Sequence, residues 1–307
     1  AQSQPQEAVR AFKQLVRLRP EDADALIALG TANDALGRTP EALEYLQQAV
    51  RVAPERARAH LALGDALSRA QRTPEAVASY ETALARDPKL AAAHRAIAAV
   101  YVAENKLAQA ADSLQDALRV EPQHAPTHLS YASVMQRLGR RDEALASYEQ
   151  AARLDSSNPD VHKQLGVMLR SAGRVRDAAE SLERAMRGRP DDAEVRTALA
   201  LCYRELGRAP EAEQLLRAAL SQRPDDADAM LALGALMLQN GRNGEAADML
   251  KRVTALRPDA AEAWLPLGMV SELLGKLGDA RVALEQAVRL RPDNGDAWSG
   301  YARVLMA

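Results

Sequence analysis

Proline occupies positions 20, 54, 88, 122, 190, 224, 258 and 292, so every interval is 34 residues or twice that, and the skipped slot, 156, holds serine. A chain with a single packed core has no reason to place one residue type on such a grid. A fixed period of this length marks a solenoid, in which one small unit is stacked many times and touches only its neighbours. The period overrides length, which at 307 residues would otherwise read as about two ordinary domains.

Alignment on the prolines brings out further columns. Alanine fills 8, 42, 76, 110, 144, 178, 212, 246 and 280 without exception. Gly30, Gly64, Ala98, Ala132, Gly166, Ala200, Gly234, Gly268 and Ala302 form a second small-residue column. Such columns mean that two helix backbones cross closely there. Bulkier apolar residues surround them at spacings of three, four and seven, as in Leu26, Leu29, Leu46, Tyr80, Leu114, Tyr148 and Leu182, which is helical periodicity.

The punctuation agrees. Gly37, Gly139, Gly173, Gly207, Gly241 and Gly275 stand midway through their repeats, with Gln71 and Asn105 in the other two. Residues of this kind suit the left-handed position that closes a helix. Helix starts follow at Thr39-Pro40-Glu41, Thr73-Pro74-Glu75 and Ala209-Pro210-Glu211, with proline in the first turn. The grid proline ends the second helix, and Asp22, Asn158, Asp192, Asp226 and Asn294 offer N-caps for the next. Each repeat thus reads as helix, tight turn, helix, turn.

This pattern resembles the tetratricopeptide repeat (TPR) family over essentially the whole chain. The resemblance implies an all-α fold, an α-solenoid of helix-turn-helix TPR units forming a right-handed superhelix. One solenoid domain, 1–307, would comprise repeats 23–56, 57–90, 91–124, 125–158, 159–192, 193–226, 227–260 and 261–294, with half repeats at 5–22 and 295–307. The family's aromatic near the start of each repeat appears as Trp264 and Trp298. The final helix carries Trp298, Tyr301, Leu305 and Met306 on faces expected to pack against a following helix. A longer parent protein or stacking of the ends is expected from that.

Composition narrows the function classes. The chain is 47% hydrophobic but only 3% aromatic, so its apolarity comes from alanine, leucine and valine, which favour closely packed helices. A net charge of −2 provides no field for nucleic acid or anionic lipid. Arginine outnumbers lysine 34 to 6, read as genomic bias in a bacterial protein. Cys202 is the single cysteine, which excludes an internal disulfide and a cysteine-cluster metal site. No apolar run reaches the roughly 18 residues that span a bilayer, and the opening Ala1-Gln2-Ser3-Gln4-Pro5-Gln6 lacks the marks of a signal peptide. A cytoplasmic location is expected, or a periplasmic one if a leader has been removed.

Candidate chemistry is sparse. His60, His94, His128 and His162 share one column in four successive repeats. Neighbouring helix axes lie about 8–10 Å apart and zinc needs nitrogens at about 2.0–2.1 Å, so no two ladder members share an ion; they read as packing residues. His124 and His128, four apart, are broken by Pro126. Cys202 lies in an apolar column and reads as core. No catalytic constellation, cofactor or metal site is expected, and the chain reads as non-enzymatic.

What remains is the face of each first helix not used for packing, which in TPR proteins lines the concave groove and meets partners. In this chain Arg95, Arg137, Lys163, Arg170 and Arg204 make its middle basic. Leu201, Leu231, Leu238, Leu265 and Met269, with Leu273, make it apolar towards the C-terminal end. Clustered guanidiniums suit carboxylates and a leucine/methionine strip suits apolar anchors. The family's carboxylate clamp is incomplete, since Lys163 matches but Val167 stands in place of asparagine. The asparagine ladder of the O-linked N-acetylglucosamine transferase groove is absent, as Ala198, Ala232 and Pro266 illustrate.

The sequence therefore reads as a protein-interaction scaffold that binds a peptide segment of a partner bearing acidic and apolar anchors. Nucleic-acid binding and membrane insertion are not expected. Two other readings stand beside it: the targeting arm of a larger enzyme, such as a glycosyl- or sulfotransferase, and a homo-oligomer formed through uncapped ends.

Overall fold

A computed structural model describes residues 3–307, with side chains from residue 6 onward. Ala1 and Gln2, part of the opening stretch read for a leader, lie outside the described residues. Among the described residues there are eighteen helices and no strand. The chain divides into two compact units, Ala1–Leu154 and Asp155–Ala307.

In the first unit, α1 (Ser3–Leu18) precedes four hairpins. These are α2 (Ala23–Ala35) with α3 (Thr39–Val52), α4 (Ala57–Arg69) with α5 (Thr73–Arg86), α6 (Ala91–Ala103) with α7 (Leu107–Val120), and α8 (Ala125–Arg137) with α9 (Arg141–Leu154). In the second, α10 (Pro159–Ser171) pairs with α11 (Val175–Gly188), α12 (Ala193–Glu205) with α13 (Ala209–Gln222), α14 (Ala227–Gln239) with α15 (Asn243–Leu256), and α16 (Ala261–Leu273) with α17 (Leu277–Leu290); α18 (Gly295–Met306) follows. Each unit thus holds four helix-turn-helix hairpins, with α1 before those of the first and α18 after those of the second.

The small-residue columns do the work assigned to them. Ala42, Ala76, Ala110, Ala144, Ala178, Ala212, Ala246 and Ala280 are wholly buried between the two helices of their hairpins. A Cβ at Gly166 would stand 2.5 Å from Leu182 Cγ, so here the leucine side chain fills the space that a side chain at 166 would need. Around these crossings Leu26, Leu29, Leu46, Leu182, Leu199 and Leu250 are almost completely withdrawn from water, each worth about 2 kcal/mol of transfer free energy. First helices also pack on the first helix of the next hairpin, α2 on α4 and α4 on α6, and likewise α10, α12, α14 and α16 in series.

The turns close as the punctuation implies. The six mid-repeat glycines have φ between 71° and 77°, and Gln71 and Asn105 take 60° and 57°. After each, a backbone N–H reaches back to the first helix: Arg38 to Asn33 at 2.9 Å, Arg140 to Met135 at 2.9 Å, Arg242 to Met237 at 2.9 Å. This is the Schellman closure that satisfies otherwise orphaned carbonyls. The donor is always basic (Arg38, Arg72, Lys106, Arg140, Arg174, Arg208, Arg242, Lys276), placed where a cation meets the negative end of the helix dipole. The expected N-caps form too, with Asp22 accepting from Ala25 N–H at 3.0 Å and Asn294 from Ala297 N–H at 3.0 Å.

Candidate protein-binding surface

The histidine ladder has a structural task. Each ring sits at the start of a first helix and turns back to the carbonyl six residues earlier. His60 Nε2 meets Pro54 O at 2.8 Å, His94 meets Pro88 O at 3.2 Å, His128 meets Pro122 O at 2.9 Å and His162 meets Ser156 O at 2.9 Å. Trp264 and Trp298, in the same column, donate their indole N–H to Pro258 O and Pro292 O at 2.9 and 2.8 Å. The column is thus a strap that closes the junction between repeats by serving a turn carbonyl, which the helices leave unpaired. His124 is committed as well, its Nδ1 accepting from Thr127 N–H at the start of α8. Among the described residues no group of three or more His, Cys, Asp and Glu is placed to hold a metal ion. Cys202 is fully buried, and burial pushes its thiol up to about 11, the behaviour of a core residue.

The five cations proposed for the first-helix face differ in how far they are already engaged. Arg95, on α6, is paired with Glu121. Lys163, on α10, binds Glu194 at 2.6 Å and Asp192 at 3.2 Å; burial works against its ammonium, but those hydrogen bonds outweigh it and hold Lys163 above the usual lysine range. Arg137, on α8, donates to the amide oxygen of Asn105 at 2.8 Å. Arg170 lies 3.7 Å from Glu205, beyond hydrogen-bond length. Arg204, half-buried on α12, has no hydrogen bond or ion pair with any described residue.

The apolar residues lie on first helices as well. Leu201 (α12), Leu231 and Leu238 (α14) and Leu265 (α16) are half-buried, whereas Met269 is 49% and Leu273 72% exposed. Leu231 and Leu238 pack against the core cluster around Met230 and Leu267, and Leu265 against Ala280 and Leu284, so these three are partly spent on internal packing.

Within the second unit α10, α12 and α14 enclose a cavity of about 580 Å³. It brings together four of the proposed residues, Arg170, Leu201, Arg204 and Leu231. Its depth comes from Ala198, Ala232 and Ala235, where longer side chains would fill the space. Val167, 42% exposed, forms part of the wall. Ala198 and Ala232 were visible in the sequence as positions of the empty asparagine ladder; their meaning as open volume was not. The first unit has a cavity of about 560 Å³ beside Arg95, lined by Val102, Leu129 and Ser130 on α6 and α8. Arg137, Lys163, Leu238, Leu265 and Met269 line neither cavity.

A tetratricopeptide repeat model matches residues 1–54, 28–91, 61–125, 95–159, 132–193 and 274–307, and a second one matches 169–227 and 207–265. The chain belongs to the tetratricopeptide repeat family. Solved structures of similar fold include the APC/C hetero-tetramer Cut9–Hcn1, at 19% identity over 96% of this TPR chain with a TM-score of 0.60. The match spans 58% of the length of that chain. PilF of Pseudomonas aeruginosa aligns at 20% identity over 71% of this chain and 99% of its own, with a TM-score of 0.61. YrrB, a TPR protein with an unusual peptide-binding site, aligns at 21% identity over 62% of this chain and 99% of its own, with a TM-score of 0.51. A search of curated proteins finds no match. The TPR fold is consistent with a protein-interaction scaffold, and no helix among the described residues is long and apolar enough to cross a membrane.

Proposed function

We propose that this TPR chain is a non-enzymatic scaffold that holds a segment of a partner protein against the face of its first helices. The observation that carries this reading is the second-unit cavity, where alanines recess the floor and leucine, valine and arginine side chains form the walls. Apolar walls with a few polar groups are the usual make-up of a site that captures a protruding side chain. The peptide-binding site for which YrrB is known supports the same use of the fold, by analogy of fold only.

The test is a selection of peptides from a random displayed library, followed by affinity measurement on the wild type and on a Leu201→Glu/Leu231→Glu variant. Both leucines are half-buried, so retained helical circular dichroism is the control for folding. Peptides that bind the wild type and lose affinity on the variant are the expected result. Equal affinity for both proteins would remove the cavity from the binding surface and with it this reading.

A further inference from the structure

We propose that the second-unit cavity receives an acidic side chain with an apolar neighbour, and that Arg204 takes the carboxylate. This rests on the scaffold reading above and specifies the partner's chemistry. The charges around the cavity decide its sign. Its acids are already answered: Glu194 by Lys163 at 2.6 Å and Arg223 at 3.3 Å, and Asp228 by Arg257 at 2.8 Å. Asp226 caps α14 by accepting from Ala229 N–H at 3.1 Å. The cations are not all answered. Arg170 stands 3.7 Å from Glu205, and Arg204 has no polar partner among the described residues.

A half-buried guanidinium lacking an anion keeps donors unused and feels little screening from apolar walls. A carboxylate supplies two acceptor oxygens that match two of its N–H groups. With the three acids of the cavity already paired, Arg204 is the cation left without a partner among the described residues, and a single negative charge matches it better than a doubly charged phosphate. Leu201 and Arg204 are three residues apart on α12 and so share a helix face. An acid held by Arg204 therefore sets its sequence neighbour against Leu201, Val167 and Leu231. The source is an internal Asp or Glu side chain. A chain leaving the cavity finds further exposed apolar surface in the same unit, at Met269 and Leu273, so it has a path to continue along.

The test uses a displayed library of random peptides flanked on both sides by fixed sequence, selected against the wild-type protein. Expected is enrichment of Asp or Glu within three residues of a large apolar residue. Arg204→Gln should weaken those peptides about tenfold, while Arg184→Gln, at an exposed arginine on α11, should not. Arg204→Glu should recover binding for peptides whose acid is replaced by lysine, a rescue that loss of folding cannot mimic. Apolar peptides without acids, bound equally by wild type and Arg204→Gln, would overturn this inference and leave the scaffold reading standing. Acidic peptides indifferent to Arg204→Gln would overturn it as well, as would tighter binding of the same peptides with a free C-terminus. If no selected peptide responds to the Leu201→Glu/Leu231→Glu variant, both readings fall together.

Discussion

The Nε2 atom of His162 lies 2.9 Å from the carbonyl oxygen of Ser156. That carbonyl belongs to the one grid slot without proline, yet the strap is kept. The bond depends on where the turn places the carbonyl and not on the proline ring. A carbonyl only accepts, so Nε2 must carry the proton. Nitrogen chemical shifts of the imidazole should show the Nε2–H form. His162→Phe, which keeps the ring and removes the donor, should cost about 1 kcal/mol in denaturant unfolding. A pure Nδ1–H ring would contradict the strap.

A Cβ at Gly64 would stand 2.5 Å from Cε1 of Tyr80, whose hydroxyl donates to Asp65 at 3.0 Å. The ring lies over the glycine to reach that carboxylate. Gly64→Ala should destabilise by about 1–3 kcal/mol through overpacking. Adding Tyr80→Leu should recover part of the loss, because alanine and leucine, as Ala98 and Leu114, are both buried in the same two columns of the next repeat. A double-mutant cycle measures the recovery, and strict additivity would contradict the contact.

Burial pushes the Cys202 thiol up to about 11 from an unfolded value near 9.0, with Arg170 pulling weakly the other way. The folded state holds the proton more tightly than the unfolded state. Its contribution is therefore present below the unfolded value and is lost as pH rises through about 11. Near neutral pH a thiol reagent should label Cys202 only on unfolding. Cys202→Ala, the residue found at Ala32 and Ala66 in that column, should flatten the alkaline fall in stability. Rapid labelling of the native protein would refute the buried position.

Arg242 joins two helices of neighbouring repeats. It grips both carboxylate oxygens of Glu213 on α13 at 2.8 Å and Glu245 on α15 at 2.7 and 2.6 Å, and these bonds hold both acids below the usual carboxylate range. Arg242→Ala should lower the unfolding midpoint at low salt. The difference should shrink at high salt, because exposed pairs are screened. A loss independent of ionic strength would mean that packing of the side-chain stem, and not charge, accounts for the effect.

Much of the fold was legible because the period repeats every constraint many times. The alanine column, the left-handed residues at Gly37, Gln71 and Asn105, and the N-caps at Asp22 and Asn294 all recur at a fixed offset, so one column corroborates the next. The candidate site lacks that redundancy. Lys163 reads as a free groove cation, yet it is committed to Asp192 and Glu194, 29 and 31 residues further on. That pairing depends on how far α12 stands from α10 and on side-chain rotamers, which a column of residue names does not encode. Arg204 and Arg170 occupy the same column in adjacent repeats and differ only in what reaches them. The histidine strap was hidden for a related reason: its partner is a backbone atom six residues back, invisible to any search for reactive side chains.

The residue at each hairpin tip has a further use. Nothing lies within 4 Å of where a side-chain carbon would project from Gly37, Gly139, Gly173, Gly207, Gly241 or Gly275. These bends therefore open outward onto vacant ground. A graft that keeps the left-handed glycine at 139 or 207 should meet open space around it, so cargo or labels mounted there should leave the stacked rods beneath as they are.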